Sequence, residues 1–132
     1  MRVLLDTNVL ASALGTRGLC ADVLREVILG HTLLTCDEVE TELRRTLTGK
    51  FGVPAPLARE AVAALAEDAE RCSSRPPREV PLKDPADAAV VSAAMNGKAD
   101  LLVSGDKEVR ALGRAGEVEV LTPREFWERL RK

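Results

Sequence analysis

Short apolar runs, each too short to form a buried helix, are the feature that most constrains the fold of this sequence. The runs are Val3–Leu5, Thr32–Thr35, Leu101–Val103 and Val118–Leu121. Runs of this length are typical of strands covered on both faces, as in parallel sheets. Segments with helical spacing separate them, and this alternation predicts βαβ units. We therefore expect an α/β fold: a single three-layer α/β/α domain over residues 1–132 with a short, mostly parallel sheet of four or five strands.

The segments between the runs place apolar residues three or four positions apart, which is the spacing of an amphipathic helix. Pro85, with Asp84 before it as N-cap, marks the start of a helix that is apolar on most sides. Residues 73–81 contain three prolines and are predicted to be extended. The predicted helices cover residues 9–14, 19–29, 37–47, 57–72, 85–95, 109–112 and 123–130.

The rare residues exclude several kinds of chemistry. The chain has one histidine, His31, and no tyrosine, so mechanisms based on two histidines or on a tyrosine nucleophile are excluded. Its three cysteines form no CxxC motif, which excludes a zinc ribbon and a thioredoxin-type redox pair. The net charge of −2 excludes a strongly basic protein that holds nucleic acid by net charge alone. Chemistry must therefore fall on carboxylates, hydroxyls and amides, with or without a metal.

No apolar run approaches the roughly 18 residues of a membrane span. The first six residues are too short and too soon acidic for a signal peptide. We expect a cytoplasmic protein that does not associate with membranes.

Acidic residues stand where a site of an α/β sheet is expected. Asp6 and Asp106 follow two of the predicted strands, at the carboxyl edge where such sites form. Asp87 begins a mostly apolar helix, and a buried charge there needs a partner, which a metal can supply. Glu42 flanks the buried face of the 37–47 helix, whereas Glu40 is predicted to point away. The alternative for each acid alone is a helix cap, a turn residue or a solvated surface group.

Four segments together resemble the PIN domain family. They are Leu4–Leu10 (LLDTNVL), Asp84–Asp87 (DPAD), Ala99–Lys107 (ADLLVSGDK) and Leu121–Phe126 (LTPREF). The resemblance extends from Arg2 to about Leu130. It is strongest to the subgroup described as toxin components of toxin–antitoxin systems.

The resemblance implies a metal-dependent ribonuclease with a cluster of acids. Carried over position by position, the acids are Asp6, Glu42, Asp87 and Asp106, and Asn8 and Ser104 occupy polar positions that support them. The chain departs from the family pattern at three positions. Cys36 stands where a serine helix cap is common, Ala86 where a further aspartate is common, and Glu108 where aspartate is frequent.

Simple electrostatics agrees with a metal site. Converging carboxylates repel one another and have raised pKa values unless a cation neutralises them. Oxygen ligands suit Mg²⁺ or Mn²⁺, which can activate water and stabilise a leaving oxygen. We expect Asp6, Asp87 and Asp106 to bind such an ion most directly and Glu42 to complete the cluster. The sequence leaves open whether one or two ions bind.

Basic residues must hold an RNA substrate beside such an acidic site. The candidate phosphate contacts are Arg44, Arg45, Lys83 and Lys107, and Arg75 and Arg78 also precede Asp87. With two Phe and one Trp, stacking on bases is expected to be limited. The resemblance also implies an antitoxin partner and a homodimer or higher oligomer. An apolar groove between helices 19–29 and 37–72 is the candidate partner surface.

Two alternatives stay open at the level of the sequence. A haloacid-dehalogenase-like phosphatase also places aspartates after two strands around Mg²⁺, but it requires a second aspartate at position 8, where this chain has Asn8. A PIN fold with a weak catalytic site could instead act as an interaction module. The presence of all four acids argues against a weak catalytic site.

Overall fold

The computed structural model describes residues 1–132 and contains six strands and seven helices. In chain order they are β1 (Arg2–Leu5), α1 (Thr7–Gly15), α2 (Leu19–Gly30), β2 (Thr32–Thr35), α3 (Asp37–Gly49), α4 (Ala55–Glu67), β3 (Ala69–Arg71), α5 (Pro85–Asn96), β4 (Leu101–Val103), α6 (Lys107–Arg110), β5 (Arg114–Ala115), β6 (Val118–Leu121) and α7 (Pro123–Leu130).

The strands form one sheet in the order β3-β2-β1-β4-β6-β5. All neighbours pair in parallel except β5, which is antiparallel to β6. Helices flank this central sheet, so the predicted α/β/α fold is confirmed. The sheet has six strands instead of four or five, because β3 and the two-residue β5 were not predicted. β5 turns back through Gly116, whose φ of 59° favours glycine.

The predicted helix over residues 57–72 is wrong in its last five residues. Helix α4 ends at Glu67, and Ala69–Arg71 instead pair with β2, with Leu33 opposite Ala69. The backbone N–H of Cys72 continues the pairing by donating to the Thr35 carbonyl at 2.7 Å. The helical spacing of apolar residues continues through Ala69–Arg71. These residues nevertheless form a strand, because their backbone hydrogen-bonds to the open edge of β2. Leu57, near the start of α4, is 54% exposed.

One core of 32 buried residues extends through the sheet and its helices. The strands β1, β2 and β4 contribute a layer of leucines and valines that are almost fully buried. Phe126 of α7 is completely buried and belongs to this core. Among the helices, α5 presents Val90, Val91 and Ala94 to this core. No helix combines the length and the apolar character needed to cross a bilayer.

The parallel strands β1, β2, β4 and β6 all end at the same edge of the sheet. Hydrogen bonding continues past two of these ends: Asp6 N–H donates to the Val103 carbonyl, and Ser104 N–H donates to the Leu121 carbonyl, both at 2.9 Å. The residue after each strand begins the turn into a helix, with Asp6 as the N-cap of α1 and Cys36 as the N-cap of α3. Polar side chains from distant parts of the sequence therefore meet at this edge.

Candidate active site

A cavity of about 160 Å³ opens at the carboxyl edge of the sheet. It contains all four acids predicted from the sequence and the predicted supporting residue Asn8. Neither lysine nor arginine nor histidine lines it. The lining residues are Asp6, Thr7, Asn8, Glu38, Glu42, Asp84, Ala86, Asp87, Val90 and Asp106.

Asp6 is held rigidly at the floor of this cavity. Its side chain is fixed by the Thr7 N–H, which donates to Oδ1 at 2.8 Å, and by the Ser104 hydroxyl, which donates to Oδ2 at 2.7 Å. Burial raises the pKa of Asp6, and the two hydrogen bonds oppose this rise only in part. The charges of Asp106 and Glu42 raise the pKa further, so these carboxylates already interact.

Ser104 links two of the acids. It is fully buried, and its Oγ accepts the Asp106 N–H at 3.1 Å while its hydroxyl donates to Asp6. Asp106 also caps α6, since its Oδ1 accepts the N–H groups of Glu108 and Val109 at 2.9 and 3.2 Å. The capping interpretation of Asp106 is therefore correct, and the same residue also lines the cavity.

Asp87 is the acid of the cavity that burial and neighbouring carboxylates affect most strongly. It lies in the first turn of α5, half-buried, and no protein group donates a hydrogen bond to its carboxylate. Partial burial and the neighbouring carboxylates, chiefly Asp84 and Asp106, raise the pKa of Asp87 to about 6. Asp84 caps α5 by accepting the Ala86 N–H at 2.8 Å, as predicted, and it also lines the cavity. These negative charges face one another without a protein cation between them.

Helix α3 supplies two acids to the cavity, of which Glu42 was expected and Glu38 was not. Both face the cavity because they are four residues apart, a spacing that places them on one side of a helix. Glu38 Oε2 accepts the Ser74 hydroxyl at 2.6 Å. Burial opposes ionisation of Glu38, but this hydrogen bond and the charge of Arg75 outweigh it and hold the pKa below its usual value. The i, i+4 relation to Glu42 was the signal that could have identified Glu38.

The prediction that Glu40 points away from the protein is wrong. Glu40 is buried, and its Oε2 accepts from Arg71 Nη2 at 2.7 Å and from the Thr35 hydroxyl at 3.3 Å. Arg71 also pairs with Asp37. The unforeseen strand β3 brings Arg71 over this face of α3, so Glu40 ties the helix to the sheet edge and takes no place in the cavity.

The candidate phosphate contacts lie outside the acidic cavity. Arg45 and Lys83 are exposed, and Arg44 Nη2 donates to the Thr41 hydroxyl at 3.3 Å. Lys107 lines a separate surface depression together with Arg110. The structure therefore brings the predicted acids together but does not bring Arg44, Arg45, Lys83 or Lys107 into their cavity.

The donor set of the cavity fits a divalent cation. All the available ligands are oxygen atoms, which hard ions such as Mg²⁺ and Mn²⁺ prefer. No three acidic side chains already stand in an arrangement that could hold an ion. Binding therefore requires side-chain rotation, which is open to Glu42 and Asp87 because no protein donor fixes either carboxylate.

A family model described as the PIN domain matches residues 2–108. The chain belongs to the PIN domain family. The match covers all four predicted acids, and it confirms the family suggested by the sequence motifs. No curated protein sequence matches the chain.

Solved structures share this PIN fold at low sequence identity. A chain of VapBC2 from Rickettsia felis, bound to a DNA fragment from its promoter, superposes with a TM-score of 0.67 at 13% identity, covering 92% of this chain and 98% of its own. VapBC-1 from nontypeable Haemophilus influenzae gives 0.64 at 15%, with 94% and 99% coverage. VapC20 from Mycobacterium tuberculosis, described as a sarcin–ricin loop cleaving toxin, gives 0.58 at 18%, with 89% and 98% coverage.

Proposed function

We propose that this protein is a Mg²⁺- or Mn²⁺-dependent endoribonuclease of the PIN family that acts as the toxin of a toxin–antitoxin pair. The observation that carries the proposal is the meeting of Asp6, Glu42, Asp87 and Asp106 in one cavity without a neighbouring protein cation. Membership of the PIN family supports it. So does the fold shared with VapC20, which is described as an RNA-loop-cleaving toxin.

The four acids have two kinds of role in this proposal. Asp6, Asp87 and Asp106 would hold the metal, and Glu42 would complete the cluster or orient the attacking water. The chemistry that a divalent ion would supply at these residues is polarisation of the scissile phosphate and activation of water. Ser104 acts as a positioning residue because it fixes the Asp6 carboxylate and the backbone of Asp106 together. Asn8, which lines the cavity without a side-chain hydrogen bond, is a polar support.

The deciding experiment compares purified wild type with the Asp6→Asn variant. Single-stranded RNA, single-stranded DNA and a phosphate monoester are offered with Mg²⁺, with Mn²⁺ or with chelator. We expect RNA cleavage that requires metal and falls by a hundredfold or more, on the order of a lost transition-state contact, in Asp6→Asn. Glu60→Gln, which removes an exposed acid from α4, should cleave like wild type.

The other outcomes identify the alternatives. Intact metal-dependent cleavage by Asp6→Asn would refute the assignment of the site. Monoester turnover without RNA cleavage would favour the phosphatase. Inactivity on all three substrates, together with partner binding, would favour an interaction module.

The proposed protein partners are an antitoxin and a second copy of this chain, acting in the cytoplasm. VapBC complexes share the fold. Large apolar side chains are exposed at the end of α2 and the start of α4, where Leu29 is 79% and Leu57 is 54% exposed. We also propose that residues 1–132 form a single domain. We expect Leu29→Ser and Leu57→Ser to weaken binding to the protein encoded by the adjacent gene. Unchanged binding by both variants would exclude these two leucines from the partner interface.

A further inference from the structure

A surface groove adjoins the acidic cavity and shares Glu38 with it. Two connected depressions of about 300 and 450 Å³ make up this groove, and both are lined by Glu38, Ser74 and Arg75. The larger one continues past Arg78 toward α5. We call it the arginine groove and define it by Ser74, Arg75, Pro77, Arg78, Ala88 and Ser92. Glu38 lies at the boundary between the acidic cavity and the arginine groove.

The backbone that carries the two arginines is fixed, although it belongs to neither a helix nor a strand. The Asn96 side-chain amide donates to the carbonyls of Ser73 and Pro76 at 3.0 and 2.9 Å. The Arg78 N–H donates to Ser92 Oγ at 3.0 Å, and Ser92 is only 2% exposed. These bonds pin the 73–81 segment to α5. A groove that is ordered in advance loses less entropy when a ligand binds.

The guanidinium groups in the groove are free to bind an anion. Arg75 and Arg78 are exposed, and neither forms an ion pair with a carboxylate. Arg78 Nε donates to Asn96 Oδ1 at 2.7 Å, which orients the group and leaves its two terminal nitrogens available. By contrast, Arg71 at the far end is committed to Asp37 and Glu40.

We propose that the arginine groove binds the sugar–phosphate backbone of a single RNA strand, with Arg75 and Arg78 contacting phosphates next to the one that enters the acidic cavity. The inference rests on the proposed function and adds the path of the substrate. An acidic cavity repels the neighbouring phosphates of a strand, so cations must hold that strand at its border. Arg75 and Arg78 are the unpaired cations lining that border.

The rest of the lining fits a strand that is bound by its backbone. Pro77 and Ala88 present small apolar surfaces to a ribose, and no aromatic ring lines the groove, so stacking on bases is absent. Binding should therefore depend strongly on salt and little on base sequence.

Binding is tested with fluorescent twelve-nucleotide RNAs of three unrelated sequences, in Mg²⁺, on an Asp6→Asn background that suppresses cleavage. The test variant is Arg75→Gln/Arg78→Gln. Its control is Arg17→Gln/Arg59→Gln, which removes the same charge from exposed positions outside both cavities. The plot of log affinity against log salt has a negative slope, and we expect its magnitude to decrease by about 1.4 when two phosphate contacts are lost. The decrease should be equal for all three RNAs. The control should keep the slope of the parent protein. Arg75→Lys/Arg78→Lys should retain most of the slope.

Cleavage supplies a second readout on the wild-type background. The glutamine pair should raise KM for the twelve-nucleotide RNA by a larger factor than it raises KM for a dinucleotide, which reaches only the acidic cavity. A wild type that binds no RNA, equal losses in test and control pairs, or losses confined to one RNA sequence would each overturn the proposal. So would unchanged RNA binding with lost binding of an acidic polyglutamate peptide, which would mark a protein site. Arginine-dependent binding without cleavage would overturn only the proposed ribonuclease.

Discussion

At the scale of single residues, Ser104 has an influence out of proportion to its size. Its one hydroxyl group contacts the carboxylate of Asp6 and the backbone of Asp106, and it is wholly buried. When a buried hydroxyl that donates one hydrogen bond and accepts another is removed, two polar groups lose their partners. Its effect on the site is therefore exerted through the acids and not through contact with substrate.

Ser104→Ala is expected to lower the free energy of unfolding by about 1–3 kcal/mol, since the Asp6 Oδ2 and the Asp106 N–H lose a buried partner. The loss should grow as pH rises, because the hydrogen bond from Ser104 favours the ionised form of Asp6 and opposes its raised pKa. Urea denaturation at pH 5 and pH 8 measures both effects. Ser12→Ala, which removes a hydroxyl that forms no hydrogen bond, is the control, and equal effects of the two variants would contradict this role.

Asp87 gives the protein an unusual dependence on pH. Its pKa in the folded state, about 6, exceeds its value in an unfolded chain, about 3.9, so the folded state retains a proton that the unfolded state has released. The metal-free protein should therefore lose stability between pH 4 and pH 6 as pH rises, by on the order of 1 kcal/mol after allowance for solvent screening. Above pH 6 this loss is complete.

Asp87→Asn should remove that loss. In chelator at pH 8 the variant should be more stable than wild type, and below pH 4 the two should be equal. Urea denaturation across this range makes the comparison, with Glu60→Gln as the control for loss of an exposed charge. A variant that is less stable than wild type at pH 8 would show that Asp87 has a stabilising partner that the structure does not contain.

At the scale of elements, the residues that directly follow β3 and α5 are packed together without room for an added methyl group. A Cβ placed on Gly97, the C-cap of α5, would stand 2.5 Å from Cys72 Sγ. The φ of Gly97 is −81°, which alanine adopts freely, so contact and not backbone conformation requires glycine here. The Gly97 carbonyl also accepts from Arg2 Nε and Nη2 at 3.1 and 2.7 Å, which ties this corner to β1.

Gly97→Ala is expected to destabilise the protein by about 1–3 kcal/mol through overpacking. Adding Cys72→Ala should recover part of that loss, giving a favourable coupling between the two substitutions of about 1 kcal/mol in a double-mutant cycle. Gly49→Ala, at a helical glycine with open space around it, should cost nothing. Strict additivity of the two changes would show that the end of α5 moves away from Cys72.

The elements also show which parts of the fold the sequence could predict. Apolar runs and their spacing located β1, β2, β4 and β6, because strands buried on both faces consist almost entirely of apolar residues. β3 lacks that signature: Ala69–Arg71 has two exposed residues on an edge strand, so only its pairing partner defines it. The error about Glu40 followed directly, because the cation that covers it comes from β3. The four acids of the cavity could be predicted from strand ends and family motifs, and Glu38 could have been predicted from its spacing to Glu42 on α3. The arginine groove could not, because it depends on how a segment without regular structure lies.

At the scale of the whole molecule, the acidic cavity predicts that divalent ions stabilise the fold. An ion that binds only the folded chain raises the free energy of unfolding by about 2.7 kcal/mol at a concentration 100 times its Kd. For a chain of this size that corresponds to a rise in Tm of several degrees. Thermal unfolding with Mg²⁺ or Mn²⁺ should show this shift in wild type and Glu60→Gln. The shift should be lost in Asp6→Asn/Asp87→Asn, and an equal shift in that variant would place the ion elsewhere.

The strand order has a consequence for the newly made chain. β1 lies between β2 and β4, so Asp6 is synthesised early while its neighbour Asp106 comes 100 residues later. Until β4 and the residues after it emerge from the ribosome, both the serine that holds Asp6 and the carboxylate of Asp106 are missing. The four-acid cavity is therefore completed only after most of the chain has been made. A ligand that needs all four carboxylates can therefore bind this chain only once translation has passed β4.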